Sequence, residues 1–312
     1  MRLRRALGVS AQSSRQRLWQ DLSPNCELLN LQEALCWGEQ ALVQSGLDSP
    51  RLDAEVLLAY ALRITRAQLH ARRQGHLSSA ELASYRQLIE RRARHEPVAY
   101  IVGHKEFYGL DLFVDNRALI PRPETELLVE KAIEISKQQP AGSKQLLVAD
   151  VGTGSGAIAV SLAVHLPQVL VYATDACPRA LEVAACNCRR HGAEDRVHLL
   201  QGHLLEPLPE PVDLIAANLP YVSEAELSQL PPEISRYEPR EALNGGPDGL
   251  DHIRRLLAQA GGHLKPRGVV LLEIGAAQGP AVVDLAKRHF PAARVEIAKD
   301  YAGLDRVVIV RT

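Results

Sequence analysis

The 312-residue chain lacks an excess of either charge: 36 Lys and Arg face 37 Asp and Glu, a net of −1. No broad attraction to a polyanion follows from that balance, which argues against DNA or RNA as a direct partner. The chain also lacks any apolar run of about 18 residues, so no membrane-spanning helix and no membrane partner are expected. Cysteine is scarce. Cys26, Cys36, Cys177, Cys186 and Cys188 are too few and too unevenly spaced for a disulfide framework. Cys186 and Cys188 form a lone Cys-x-Cys without a second ligand pair, so no metal is expected; thiols in a reducing compartment account for them. Internal repeats and low-complexity tracts are absent. No acid precedes Asp21, while Arg2, Arg4, Arg5, Arg15 and Arg17 do. No apolar segment makes this stretch a secretory signal. Residues 1–26 are expected to be a short disordered basic extension of a cytoplasmic protein, with an organellar transit peptide as the lesser alternative.

What is present fills at least one core: 46% of residues are hydrophobic, and the length suits two domains. Residues 27–99 read as a small helical domain. Leu31, Ala34, Leu35, Ala41 and Leu42 recur at helical spacing. Ser49-Pro50 sets a cap residue before a proline suited to a first turn. Ser78-Ser79-Ala80-Glu81 reads as a capping box. From 100 to 121, Phe107, Tyr108, Leu110, Leu112 and Val114 surround Gly109 and read as a β-hairpin linker. Two of the three phenylalanines, Phe107 and Phe113, sit there, which predicts packing against something sizeable. From 122 to 312, strands at 146–151, 170–174, 197–200, 212–217 and 268–274 are interleaved with helices at 156–166, 178–191, 250–260 and 280–289. Short strands at 294–297 and 307–310 close the pattern as an antiparallel edge hairpin. Such alternation predicts an α/β fold with a mostly parallel sheet covered by helices.

Two segments can carry chemistry. Asp150-Val151-Gly152-Thr153-Gly154-Ser155-Gly156 follows an apolar strand and opens a helix, so its glycines let the backbone turn against a nucleotide. Asp175, ending the next strand, suits a ribose. Dehydrogenases use a similar loop, yet an acid at Asp150 suits a ligand with a cationic amino-acid tail. His203 and Leu204, after the third strand, are placed to flank an adenine, though His203 reads equally well as a solvated loop residue. About 65 residues beyond the loop, the apolar run Leu214-Ile215-Ala216-Ala217 delivers Asn218-Leu219-Pro220-Tyr221 to the carboxyl edge of the sheet, where open α/β sheets bind ligands. Asn218 Oδ1 and the Leu219 carbonyl would grip both N–H groups of a planar –NH2, and Tyr221 would stack on it. That pattern points to a methyl transfer to nitrogen.

Taken in order, Glu106-Phe107-Tyr108-Gly109, Leu119-Ile120-Pro121-Arg122-Pro123-Glu124-Thr125-Glu126, the 150–156 loop, the 218–221 segment and Glu238-Pro239-Arg240-Glu241-Ala242-Leu243 resemble the PrmC/HemK family. These are N5-glutamine methyltransferases of peptide-chain release factors. The resemblance runs from roughly residue 30 to the C-terminus. It implies a helical N-terminal domain that helps dock the release factor, and a seven-stranded class I, Rossmann-like methyltransferase domain. It implies S-adenosylmethionine as cofactor, and as substrate the glutamine of the Gly-Gly-Gln loop of class I release factors, in translation termination. Asp150, Gly152, Thr153, Gly154, Ser155, Gly156, Asp175, His203, Leu204 and Asn218 would then meet the cofactor. Asn218, Leu219, Pro220 and Tyr221 would hold the glutamine. Arg122 and Glu124 would line the site near the hinge, or else form a salt-bridged domain junction.

Two positions depart from the family. Leu219 replaces a proline, which keeps the carbonyl but gives up the fixed φ. His203 stands where an acid is usual, and a neutral imidazole still offers a ring nitrogen. The alternative activity is adenine-N6 methylation of DNA or RNA, which would use the same grip but needs a basic groove. A non-catalytic S-adenosylmethionine-binding module and a nicotinamide dehydrogenase are lesser alternatives. A monomer is expected.

Overall fold

The structure, a computed structural model, describes residues 30–72, 75–138 and 145–312. The basic extension expected over 1–26, with Cys26, lies outside the described residues. The chain divides into two compact units between Val102 and Gly103.

The first unit is built of helices at Leu31–Gln44, Pro50–Ala61, Arg66–Ala71, Ser79–Ala93 and Val98–Val102. Three of them start at reciprocal caps: Asn30 with Glu33, Thr65 with Gln68 and Ser78 with Glu81. In each, the cap side chain satisfies a backbone N–H that the helix leaves without a partner. Ser49 differs from the expectation. It makes no side-chain cap bond, so Pro50, whose ring presets φ, opens that helix without it. Leu42, Leu57, Leu58, Tyr85 and Ile89 are buried where the helices meet.

The second unit begins with a hairpin, β1 (His104–Phe107) and β2 (Leu110–Phe113), joined through Tyr108 and Gly109 at positive φ. Phe107 and Leu112 are buried together with Leu128 and Val148, so the sizeable body they pack on is the core of this unit. Strands β3 (Leu146–Val151), β4 (Val169–Asp175), β5 (Val197–Gln201), β6 (Val212–Ala217), β7 (Leu264–Glu273), β8 (Arg294–Lys299) and β9 (Asp305–Arg311) form one sheet in the order β5-β4-β3-β6-β7-β9-β8. All neighbours are parallel except β9, which runs antiparallel to β7 and β8. Helices cover both faces, so the inner strands are buried on both sides and read as unbroken apolar runs. Alternate residues of β3 show this: Val148 joins one core, while Leu147, Ala149 and Val151 join the other.

Three features differ from the expectation. A helix, Thr125–Lys137, precedes β3, and one-turn helices at Glu224–Leu227 and Pro232–Ser235 follow β6. β7 starts at Leu264, because Leu264 pairs with Val212 across a register shift before the strand settles against β6. Among the described residues no helix is long and apolar enough to cross a membrane.

The strand order fixes where a site forms. From β3 the chain moves outward to β4 and β5, then returns to β6 on the opposite side of β3. That reversal opens a crevice at the carboxyl ends of β3 and β6.

Candidate active site

Each strand delivers one polar segment to this crevice. At the end of β3, the N–H groups of Gly152 and Thr153 both donate to the Thr174 carbonyl at 2.9 Å, which folds the loop back onto β4. Gly152 has φ +73°, and a Cβ there would lie 3.1 Å from Leu219 Cδ2, so the two segments touch at a residue that must be glycine. Gly154 N donates to Asp175 Oδ2 and Cys177 N to Asp175 Oδ1, each at 2.8 Å. Burial raises the Asp175 carboxyl above its ordinary range, and these two bonds oppose the rise. Ser155 is buried, and its carbonyl accepts Asn187 Nδ2 at 2.8 Å. Gly156 starts the helix Ala157–His165 without a side-chain cap bond, so the positive end of that helix faces the loop.

Asp150 is fully buried. Its Oδ2 accepts the Thr153 hydroxyl at 2.6 Å and Ala159 N at 3.0 Å, whereas Oδ1 has no hydrogen-bond partner among the described residues. Burial pushes the carboxyl up to about 7; the bonds from Thr153 and Ala159 pull it down and Asp175 pushes it further up. A buried carboxylate oxygen left without a donor is costly, and a cation brought near would relieve it. This orphaned oxygen suits a ligand whose cationic end lies over the loop.

The parallel pairing of Val151 with Ala217 sets Asn218 beside Gly152. Asn218 Nδ2 donates to the Thr125 hydroxyl at 3.0 Å, and no residue among those described donates to its Oδ1. Leu219 is buried in the core, so apolar packing holds this position without the fixed φ of a proline. The Tyr221 carbonyl accepts Gln278 Nε2 at 2.9 Å. Tyr221 is half-buried; burial, then the nearby Glu273, pushes its phenol up to about 12, so the ring stays neutral. His203 is exposed, while Leu204 sits at φ +52° with its carbonyl accepting the Thr174 hydroxyl at 2.8 Å.

Arg122 is paired with the buried Glu238, which also accepts Ile120 N at 3.3 Å. Glu124 is exposed at the start of the helix Thr125–Lys137 and makes no cap bond. Glu126 accepts Tyr108 N at 2.9 Å. Arg122, Thr125 and Glu126 therefore tie one short string to three other motifs: the 238–243 segment, Asn218 and the hairpin turn.

Sequence reasoning missed Thr125, Asn187, Gly249, Glu273 and Gln278. Asn187 is fully buried and spans from the Ser155 carbonyl to both backbone groups of Phe113, at 2.7 to 2.9 Å. A polar residue on the apolar side of the helix Pro178–Arg190 was the available signal. Gln278 offered only a local one, its Oε1 accepting Gly275 N at 2.9 Å; the partners that matter here, Tyr221 and Gly249, are remote in sequence.

Comparison with known proteins adds to this geometry. Residues 33–103 match the family described as PrmC N-terminal domain, and residues 125–231 the methyltransferase small domain. The chain is 47% identical over 279 residues to a protein of Moorella thermoacetica named release factor glutamine methyltransferase, covering 89% of this chain and 97% of that protein. A Geobacter sulfurreducens protein of the same name is 40% identical over 283 residues, covering 90% and 96%. Among solved structures, the catalytic domain of hMettl16 in complex with MAT2A 3'UTR hairpin 6 aligns with TM-score 0.51 at 15% identity, over 72% of this chain and 81% of that one. This last likeness shows the fold alone, the Rossmann-like class I methyltransferase fold. With two sequence relatives aligned over nearly their whole length, the chain belongs to the release factor glutamine methyltransferase family.

Proposed function

We propose that this protein transfers a methyl group from S-adenosylmethionine to the side-chain amide nitrogen of the Gly-Gly-Gln glutamine in class I peptide-chain release factors. It acts in translation termination, as a cytoplasmic monomer without direct contact to nucleic acid or membrane. The helical unit helps dock the release factor. The observation that carries the reading is Asn218, anchored through Nδ2 on Thr125 with Oδ1 left over at the carboxyl end of β6, next to the 150–156 loop.

S-adenosylmethionine supplies an electrophilic sulfonium methyl. The 150–156 loop and Asp175 would hold it, with the charge of the Asp150 carboxyl, buried beneath the loop, favouring its ammonium end. An amide nitrogen is a weak nucleophile because its lone pair is shared with the carbonyl. Asn218 Oδ1 and the Leu219 carbonyl accept its two N–H bonds and orient it, and such positioning contributes several kcal/mol. Positive charge gathering on the nitrogen strengthens both bonds as transfer proceeds, and the methylated nitrogen then sheds one proton to solvent. Tyr221, neutral and clamped through its backbone, covers the planar group.

The direct test is mass spectrometry of unmethylated release factor incubated with the protein and S-adenosylmethionine. One added methyl on the Gly-Gly-Gln glutamine supports the reading; label appearing on DNA or RNA instead overturns it.

Asp150 gives a second expectation. A carboxyl near 7 is about half protonated at neutrality, and a facing ammonium favours its ionised form. Binding then releases a proton, so affinity falls as pH drops below about 7, by up to about tenfold per unit, and levels off above it. Calorimetry across this range checks the slope. Asp150→Asn should bind weakly and without the slope, and a slope retained in that variant would assign it to another group.

A further inference from the structure

We propose that Glu273 and Thr125 form a positioning relay that decides which end of the Asn218 carboxamide faces the acceptor, an inference resting on the functional reading above. Glu273 ends β7, and the pairing of Ala217 with Leu272 brings it alongside Asn218. It is 1% exposed, and neither carboxylate oxygen receives a hydrogen bond of ordinary geometry among the described residues. Burying an acid in this way is costly. Thr125, itself buried, stands close to both groups. Its hydroxyl accepts Asn218 Nδ2 at 3.0 Å and draws the Glu273 carboxyl toward its ionised form.

The relay follows from proton counting. A hydroxyl has one proton to give. While Glu273 is ionised, the Thr125 proton is directed to the carboxylate, and the hydroxyl oxygen is left as an acceptor. Only the Nδ2 end of Asn218 can serve it, so Oδ1 faces the substrate amide. When Glu273 is neutral, its own proton can go to Thr125, whose hydroxyl then donates to Asn218 Oδ1. The carboxamide turns over and presents N–H groups to the N–H groups of the substrate, which blocks the grip.

The groups facing Glu273 are Thr125 and Glu124 at the start of the helix Thr125–Lys137, Arg122 before it, Arg306 from β9 and Tyr221 after β6. Burial is the strongest influence and pushes its carboxyl up to about 7; Thr125, Arg306 and Arg122 oppose it, and Glu124 reinforces it. Arg306 is committed to Asp300 and the Ile274 carbonyl, at 3.1 Å each. The ionised, gripping form is lost as pH falls through this value.

The test measures kcat on unmethylated release factor at saturating S-adenosylmethionine, from about pH 5.5 to about pH 8, for the unaltered protein, Glu273→Gln, Thr125→Val and Thr125→Ser. Saturation removes the Asp150 contribution. The unaltered protein should lose kcat on the acid side of about pH 7. Glu273→Gln should lower kcat by about a hundredfold and abolish that acid limb, with cofactor affinity within about twofold. Thr125→Val should match it, and Thr125→Ser, which keeps the hydroxyl, should restore most of the loss. Full kcat and an unaltered limb in Glu273→Gln overturn the relay and leave the functional reading intact. Should Glu273→Gln fail to fold, equal turnover by Thr125→Val and the unaltered protein overturns it. No transfer by the unaltered protein overturns both.

Discussion

Asn218→Ala is expected to lower kcat for release factor methylation by about a hundredfold to a thousandfold while S-adenosylmethionine affinity stays within about twofold. The substitution removes one of the two acceptors that orient the amide nitrogen; the other, the Leu219 carbonyl, belongs to the backbone and stays. The loss falls on kcat because the grip tightens as charge develops on nitrogen. Folding should be little affected. Asn218 is half-buried, its one side-chain bond among the described residues goes to Thr125, and the core beneath it is made by Leu219 and the residues of β6. The glycine loop, Asp150 and Asp175 are untouched. Calorimetry and single-turnover transfer on the same preparation separate the two quantities. Unchanged transfer sinks the grip. Transfer lost together with cofactor affinity would place Asn218 chiefly at the edge of the cofactor site, the other location that the sequence suggests for it.

Most of the sheet was legible because its inner strands are buried on both faces and stand out as apolar runs. Asp150, Gly152, Asp175 and Asn218 were legible for a different reason: each lies at a strand end, where chain direction and strand order converge on one crevice. The helix Thr125–Lys137 was passed over although Leu128, Ala132 and Ile135 recur at helical spacing. Its first residues belong to the Pro-Arg-Pro-Glu-Thr-Glu string, where two prolines suggest an extended segment. The structure replaces both descriptions: the string turns at Pro123 and Glu124, where Thr125 N donates to the Arg122 carbonyl at 3.0 Å, and is helical from Thr125, which sets Thr125 against Asn218 and Glu126 against the hairpin. Pairings of this sort leave no local signal. Arg122 meets Glu238 across 116 positions, and Gln278 meets Tyr221 across 57. Glu273 is the plainest case. In sequence it is an acid closing an apolar strand, as Asp175 closes β4; only the packing shows that, among the described residues, neither of its oxygens receives a hydrogen bond of ordinary geometry and that Thr125 is the hydroxyl acting on it.

Gly249→Ala is expected to destabilise the second unit strongly and to reduce transfer along with it. Gly249 has φ +78°, and a Cβ there would lie 2.3 Å from the Tyr221 carbonyl oxygen and 2.7 Å from Gln278 Nε2. The first of these is backbone, which cannot swing aside, and the second is the group that clamps it. A left-handed residue with a Cβ costs about 1–2 kcal/mol, and overpacking adds about 1–3 kcal/mol. The sum, about 2–5 kcal/mol, is a large share of the stability of an ordinary domain. The strain has a direction. It pushes on Tyr221, and through Tyr221 on the carbonyl of Leu219 and the carboxamide of Asn218. Gly303→Ala is the control: its φ is +81° but a Cβ would meet nothing within 4 Å, so only the left-handed term remains. Thermal unfolding of both variants, with kcat measured well below either transition, separates the contributions. If Gly249→Ala melts no lower than Gly303→Ala, the close approach to Tyr221 does not constrain the loop. If it melts lower yet transfers at the unaltered rate, the clamp on Tyr221 serves folding and leaves the acceptor geometry to the Thr125 side of the site.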